Sequence, residues 1–301
     1  MDNTLLIVNP VSGKGRVRTI LLDILSALCA GGRDVRVCIT EKRGDASDFA
    51  EKLGPEVQRI VCTGGDGSLN EVISGLMRLP PECRPSISYI PLGTTNDMAT
   101  SLSIPKKPEE AIGHLVETGE HRPLDVGQLG QDYFGYVAAF GAFTDVPFTT
   151  PQAAKNTWGY LAYLMEALGQ LTEITAHHCR VNYDDGYIEG DLLFGFVTNS
   201  LTVAGGIVKF DEDSVSLDDG LFEVLLIRKP RSLAELNTTL GNILKRNFSS
   251  ENVTLLHTSR ISFAFDGPVQ WTRDGEDGGI YQSVDVVNHH QAVRIFVGGG
   301  V

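Results

Sequence analysis

The chain lacks any apolar stretch approaching 18 residues, any low-complexity segment and any internal repeat. A membrane-spanning helix, a disordered tract and a solenoid are therefore not expected. Cysteine is sparse: Cys29, Cys38, Cys62, Cys83 and Cys179 are scattered and form no C-x-x-C pair. They read as reduced core residues of a cytosolic protein, with no disulfide framework and no zinc site. Positive charge is also short, 25 Lys and Arg against 38 Asp and Glu, for a net charge of −13. That balance argues against nucleic acid as a partner and against adhesion of the whole surface to an anionic membrane. Basic residues are local, with Lys14, Arg16 and Arg18 in one group and Lys106-Lys107 in another. The first residues read as a strand and not as a signal peptide. What is present is an ordinary apolar content of 42% in 301 residues, a length that favours two domains.

The most informative residues are Gly64-Gly65-Asp66-Gly67-Ser68-Leu69-Asn70-Glu71, directly after the apolar run Arg59-Ile60-Val61-Cys62. A buried strand ending in glycines and one carboxylate, then opening a helix near Leu69, can bring backbone against a polyphosphate. Glycines tolerate positive φ and have no Cβ to hold a ligand off. The helix start adds unpaired N–H groups and partial positive charge. Asp66 would repel a bare phosphate, which suggests Mg²⁺ as mediator. The plainer alternative is a strand-turn-helix corner without a ligand. Two more segments share the design. Leu5–Val8 feeds Asn9-Pro10-Val11-Ser12-Gly13-Lys14-Gly15 and a helix to about Ala30. Its spacing is not that of a P-loop, which would need Gly at Val8 and Ser or Thr at Gly15. Ile87–Ile90 feeds Pro91-Leu92-Gly93-Thr94-Thr95-Asn96-Asp97. In a parallel sheet all three loops cluster at the carboxyl edge, where ligands bind.

N-P-x-S-G-K-G, then G-G-D-G-[ST]-x-N-E, then P-x-G-T-x-N-D resembles the ordered signature of the diacylglycerol kinase catalytic family. That family includes bacterial diacylglycerol kinases, related lipid kinases and the sphingosine kinases. Leu124-Asp125-Val126-Gly127, Asp218-Asp219-Gly220-Leu221 and Asp274-Gly275-Glu276 resemble its later stations, so the likeness covers essentially the whole chain. Ser68 stands where threonine is usual, and Gly130 where asparagine is frequent.

The chain changes character near residue 122. Before it, strands and helices alternate, which implies an open α/β sheet covered on both faces. After it, β-like runs dominate, among them Tyr133–Ala138, Cys179–Tyr183, Leu192–Thr198, Phe222–Ile227, Ile261–Phe265, Gly279–Val286 and Val293–Val297. Helices are expected near Gly159–Leu171 and from Ser232, where Ser232 and Glu235 form a capping box. The expected architecture is a three-layer α/β/α nucleotide-binding domain over residues 1–122 and an antiparallel β-sandwich over residues 123–301. The resemblance implies an active site in the cleft between them, and leaves the last strand free to return to the first domain.

Phosphoryl transfer demands positioning and neutralisation of the γ-phosphoryl oxygens. The amides around Gly64, Gly65, Gly67 and Gly13 are assigned to the nucleotide phosphates. The resemblance extends the ATP site to Asn9, Pro10, Ser12, Lys14, Thr40, Asp66, Ser68, Asn70, Glu71 and Thr94. Asp66, Asp97 and Asp125 each stand at a strand-loop junction, where one shared Mg²⁺ would collect hard oxygen ligands. The acceptor hydroxyl needs a base, and Glu276 matches the family's proton acceptor. Read alone, Asp274-Gly275-Glu276 is an acidic hairpin turn, and Asp274 is the rival base. Similar kinases hold a structural Mg²⁺ in an acidic turn that maps onto Ser216, Asp219 and Leu221, with Asp218 an alternative. His177-His178 and His289-His290 would point to opposite faces of strands, which disfavours chelation. Trp158–Met165 reads as a packed helix, with an exposed lipid-touching face as the alternative. The resemblance thus implies a Mg²⁺- and ATP-dependent kinase of diacylglycerol or a related lipid alcohol. Such an enzyme would be cytoplasmic and touch the inner membrane surface transiently; a homodimer is the commonest assembly. The alternatives are an NAD kinase-like enzyme, which shares Gly-Gly-Asp-Gly, and a non-catalytic nucleotide or lipid-binding regulator.

Overall fold

The computed structural model of the protein describes residues 3–116, 119–141, 175–248 and 250–298. The helix expected near Gly159–Leu171 and the aromatic run Trp158–Met165 lie outside the described residues. Strands β1 (Asn3–Val8), β2 (Asp34–Ile39), β3 (Arg59–Gly64) and β4 (Ser86–Pro91) pair in parallel in the order β4-β3-β1-β2. Between and after them run helices α1 (Val17–Ala30), α2 (Asp45–Leu53), α3 (Asp66–Met77), α4 (Asp97–Ser101) and α5 (Pro108–His114). Along β1, Leu5 and Ile7 enter a core shared with Val72 and Ile73 of α3. Leu6 and Val8 enter another with Val17 and Ile24 of α1 and Ile112 of α5. Successive side chains of a strand point to opposite faces, so a continuous apolar run suits a strand covered on both. The edge strand β2 departs from this, with Ile39 51% exposed.

Register decides where the loops go. Val8 stands opposite Ile39 and Thr63, and Gly64 opposite Pro91, so the four strands end at one level. Their four following loops therefore share the carboxyl edge.

The rest is built from β5 (Gly119–Leu129), β6 (Asp132–Phe134), β7 (Val137–Gly141), β8 (His177–Tyr183), β9 (Gly186–Thr198), β10 (Thr202–Val203), β11 (Val208–Lys209), β12 (Phe222–Arg228), helix α6 (Leu233–Leu244), β13 (Val253–Thr258), β14 (Arg260–Arg273) and β15 (Glu276–Gly298). Apart from the short β10-β11 ladder, these strands join the parallel ones in one hydrogen-bonded sheet. Their core packs Phe140 against Trp271, ring centroids 4.8 Å apart, and Trp271 edge-on to Phe263 at 5.1 Å. Ser232 caps α6 by accepting from the Glu235 N–H, and the Glu235 carboxylate accepts from Arg231 N–H in return.

Two sequence expectations change here. Gly279–Val286 and Val293–Val297 are not separate strands but parts of β15, which pairs with β14, runs antiparallel to β5 and lies parallel to β4 at Ile295 opposite Ile87. The stretch between them carries a bulge between His289 and Val293, with Gln291 at φ +50. The cysteines also divide: Cys62 and Cys179 are buried and Cys38 half-buried, but Cys29 and Cys83 are exposed, so they are not core residues. Cys29 lies on the solvent side of α1, and Cys83 in a surface turn before β4.

Candidate active site

The glycine corner is made by close packing and not by special dihedrals. Gly64, Gly65 and Gly67 do not adopt positive φ, although glycine's tolerance of it is one property that their sequence suggested. A Cβ on Gly64 would lie 2.3 Å from the Ser68 side chain, and one on Gly65 would lie 3.1 Å from the Gly93 Cα. Two loops therefore touch backbone to backbone, and the Gly64 carbonyl accepts Leu92 N–H at 2.6 Å. Positive φ is found instead in the first loop, at Gly13 (60°) and Lys14 (57°).

Helix α3 begins at Asp66, three residues earlier than its sequence suggests. Leu69 N–H donates to Gly65 carbonyl as the first intrahelical bond. The N–H groups of Asp66, Gly67 and Ser68 are then left without an intrahelical acceptor, which suits an anion. Asn9 Nδ2 donates to Ser68 Oγ at 3.2 Å, while Asn9 Oδ1 accepts from Val11 N–H. Ser12 Oγ donates back to the Asn9 carbonyl at 2.7 Å, closing the first loop. Thr40 continues the β1-β2 edge through its N–H to the Val8 carbonyl. The Glu71 carboxylate, at the wall of the site, is engaged by the loop after β2, accepting Gly44 N–H at 3.0 Å and Ala46 N–H at 3.2 Å.

Two cavities flank this corner. One, of about 320 Å³, is lined by Asn9, Pro10, Thr40, Ser68, Glu71 and Glu276 together with Arg43. The other, of about 480 Å³, is lined by Gly13, Lys14, Gly93, Thr94, Asn96 and Lys106. Both volumes are in the range of small-molecule sites. Asn70 lies in the core side of α3, buried, its Oδ1 without a hydrogen-bond donor.

The carboxylates separate into two places. Asp66 accepts from Thr95 Oγ1, Asp97 N–H and Met98 N–H at 3.1–3.2 Å. Burial first, and then Asp97, push its carboxyl above the ordinary range. Asp97 is itself enclosed: Thr202 Oγ1 donates to Oδ1 at 2.8 Å, and Tyr136 Oη and Gly205 N–H donate to Oδ2 at 2.7 and 2.8 Å. Asp125 is elsewhere. It accepts from Gly220 N–H, Asn288 Nδ2 and the bulge N–H of Gln291, and burial pushes its carboxyl up. Among the described residues no three His, Cys, Asp or Glu side chains converge to hold one ion. Asp66 and Asp97 are therefore neighbours, Asp125 stands apart from them, and each carboxylate already accepts several protein donors.

Asp125 stands instead beside the acidic turn. Its N–H donates to the Leu217 carbonyl, Ser216 Oγ donates to Asp218, and Leu221 N–H donates to Asp219 Oδ1. Glu223, next to this turn, is 1% exposed, and burial pushes its carboxyl up to about 8. Glu223 Oε2, Asn199 Oδ1 and Asn288 Oδ1 are buried acceptors with no donor. Such a deficit of positive partners fits a cation in this neighbourhood.

The hairpin turn between β14 and β15 delivers Glu276 to the first cavity. Asp274 and Gly275 have φ of 49° and 81°, the mirror-image turn that Asp-Gly supports. Glu276 Oε2 meets Arg43 Nη2 at 2.6 Å, and Oε1 would lie 3.6 Å from a Cβ on Gly67. Asp274 turns inward and accepts the N–H groups of Gly135, Tyr136 and Val137 at 2.7–3.0 Å. The two acids therefore do not share a face. Sequence reasoning missed Arg43, Tyr136 and Thr202. Only Arg43 had a local signal, its place in the loop that follows β2 at the carboxyl edge.

Known proteins show the family and the fold of the chain. The family model of the diacylglycerol kinase catalytic domain matches residues 3–129, and that of the YegS C-terminal NAD kinase beta sandwich-like domain matches residues 145–297. The chain is 28% identical to a diacylglycerol kinase of Bacillus subtilis over 296 residues, 98% of this chain and 96% of the relative. It is 33% identical to one of Staphylococcus saprophyticus over 299 residues, 97% and 94% of the two chains. A crystal structure of a diacylglycerol kinase from Bacillus anthracis, 20% identical, superposes with a TM-score of 0.75 over 99% of this chain and 97% of its own, which supports the fold. The chain thus belongs to the diacylglycerol kinase family of lipid kinases.

Proposed function

We propose that the protein transfers the γ-phosphoryl group of ATP to the hydroxyl of diacylglycerol or a related lipid alcohol, giving phosphatidic acid or an analogue. The observation that carries this reading is the meeting of Glu276 with the glycine corner in one cavity beside Asn9, Thr40 and Ser68. The free N–H groups at the start of α3 and the left-handed loop at Gly13-Lys14 cradle the phosphates, with Thr94 on the far side. Glu276 accepts the proton of the lipid hydroxyl as its oxygen attacks the γ-phosphorus. The bond to the β-γ bridging oxygen breaks, and ADP leaves with that electron pair. Mg²⁺, when bound with the nucleotide, supplies charge neutralisation at the phosphates. It needs only one or two protein carboxylates, a demand that Asp66 can meet without a cage. A second Mg²⁺ at Ser216, Asp219 and Leu221 would be structural, and the orphaned acceptors beside it fit that charge. The acceptor reaches the cleft from the cytoplasmic membrane surface. Among the described residues no helix is long and apolar enough to cross a membrane.

The test is to incubate the purified protein with labelled ATP, Mg²⁺, a panel of lipid alcohols and NAD, and to identify the labelled product. A labelled lipid phosphate is expected. Label in NADP, or in no acceptor at all, would overturn the reading.

A further inference from the structure

We infer that Arg43 is the positioning residue of this site, holding Glu276 so that one of its oxygens is kept for the acceptor proton. The inference rests on the reading of Glu276 as the base. A general base needs more than proximity, because a carboxylate free to rotate presents its lone pairs to the acceptor only part of the time. Active sites commonly solve this with a third group that orients the base. Here Oε2 is tied to Arg43 Nη2 at 2.6 Å, whereas Oε1 is turned toward Gly67 at the start of α3. The ion pair therefore divides the carboxylate into an anchored oxygen and a working one.

Arg43 is in turn held by its loop. The Asp45 carboxylate accepts Glu41 N–H at 2.8 Å and Lys42 N–H at 2.9 Å, closing the turn before Arg43. Glu71, fixed on α3, accepts Gly44 and Ala46 N–H directly after it. The orientation of Glu276, on the β14-β15 hairpin, is thereby referred to α3, the element that carries the glycine corner. Arg43 is 59% exposed at its side chain, so its loss removes no core contact. A guanidinium has five donors, and Arg43 lines the cavity together with Glu41 and Glu71.

The test measures steady-state kinetics with ATP and diacylglycerol, or the lipid alcohol that the labelling experiment selects, for Arg43→Ala, Arg43→Lys, Glu276→Gln and the double variant Arg43→Ala/Glu276→Gln. For Arg43→Ala we expect kcat to fall about 10- to 100-fold with unchanged melting temperature, since an orienting group contributes part of the roughly 10²–10⁴-fold effect of a base. Arg43→Lys, which keeps one point charge, should recover part of the rate, and added guanidinium ion at millimolar concentration should partly rescue Arg43→Ala. In the Glu276→Gln background the Arg43→Ala change should cost little more, because groups that act as a unit are not additive. Independent, multiplying losses, or a raised KM for ATP with normal kcat, would overturn the inference while leaving the base in place. Near-normal turnover of Glu276→Gln would instead remove the reading on which it rests.

Discussion

Two acids in one hairpin have opposite fates, and the difference is a matter of donors. Asp274 receives three backbone N–H groups in the interior, whereas Glu276 receives one exposed guanidinium at the cavity. Glu276→Gln keeps volume and shape but cannot take a proton. Its kcat should drop about 10²–10⁴-fold with ATP binding nearly unchanged. Asp274→Asn should show the reverse pattern, loss of melting temperature before loss of chemistry, because an amide nitrogen would face backbone donors. Spacing in the sequence left these residues equivalent; what separates them is the turn at φ 49° and 81°, which reverses the face that an extended chain would give. Glu223 makes a second prediction at this scale. Its folded carboxyl lies at about 8, against 4.5 when unfolded. Between those values the folded state keeps a proton that the unfolded state has lost, so ν_U is below ν_N and stability falls as pH rises. In a chelator-treated protein the unfolding free energy should therefore decline from pH 5 to pH 8, with a limiting slope of about 1.4 kcal/mol per pH unit, and the melting temperature should fall with it. Glu223→Gln should flatten that decline, and Mg²⁺ should do so in the parent protein if a cation joins the carboxylate. A decline of equal steepness in Glu223→Gln would assign it to other groups.

Elements were more legible than sites. Alternation of apolar strands with helices before residue 122, and the Asp-Gly and Ser-x-x-Glu signals after it, are local chemistry and are realised as β1 to α5, the β14-β15 turn and the α6 cap. What local chemistry could not show is which contact each glycine serves. Gly65 looks like a phosphate approach, yet its Cβ position is filled by Gly93. Gly65→Val should therefore not leave the fold intact. It should force the two loops apart, cost about 1–3 kcal/mol as overpacking does, and remove ATP-dependent stabilisation as a consequence. Gly67 separates packing from chemistry. A methyl there meets only Glu276 at 3.6 Å, and alanine is the better helix former. Gly67→Ala should melt at or above the parent temperature but turn over more slowly, because the methyl stands between Glu276 and the N–H groups of α3. A Gly67→Ala protein with full kcat would place the reacting atoms away from this corner.

At the scale of the whole molecule, the aspartates read as a metal cage act as ties between sequence-distant regions. Asp97, at the start of α4, accepts from Tyr136, Thr202 and Gly205, and Asp125 accepts from Gly220, Asn288 and Gln291. Such partners lie 39 to 166 residues away along the chain. No motif spacing carries that information, which is why the carboxylates were visible in the sequence and their roles were not. Asp97→Asn tests the difference. The amide keeps one acceptor oxygen and turns an NH₂ group toward a former donor, so at least one charge-assisted bond is lost and another donor is left buried. With bonds to charged groups contributing about 1.5–3 kcal/mol, a loss of about 3 kcal/mol is expected, a fall of roughly 5–10 °C in melting temperature. Tyr136→Phe removes one donor to the same carboxylate, so its cost should be largely absorbed in the Asp97→Asn background, as for any pair in one network. A metal ligand would behave otherwise. Its replacement would cost stability only when Mg²⁺ is present, and would be indifferent to Tyr136. Melting curves of the two single variants and the double variant, each with Mg²⁺ and with chelator, separate the two roles. An Asp97→Asn loss that disappears in chelator would return this residue to the metal.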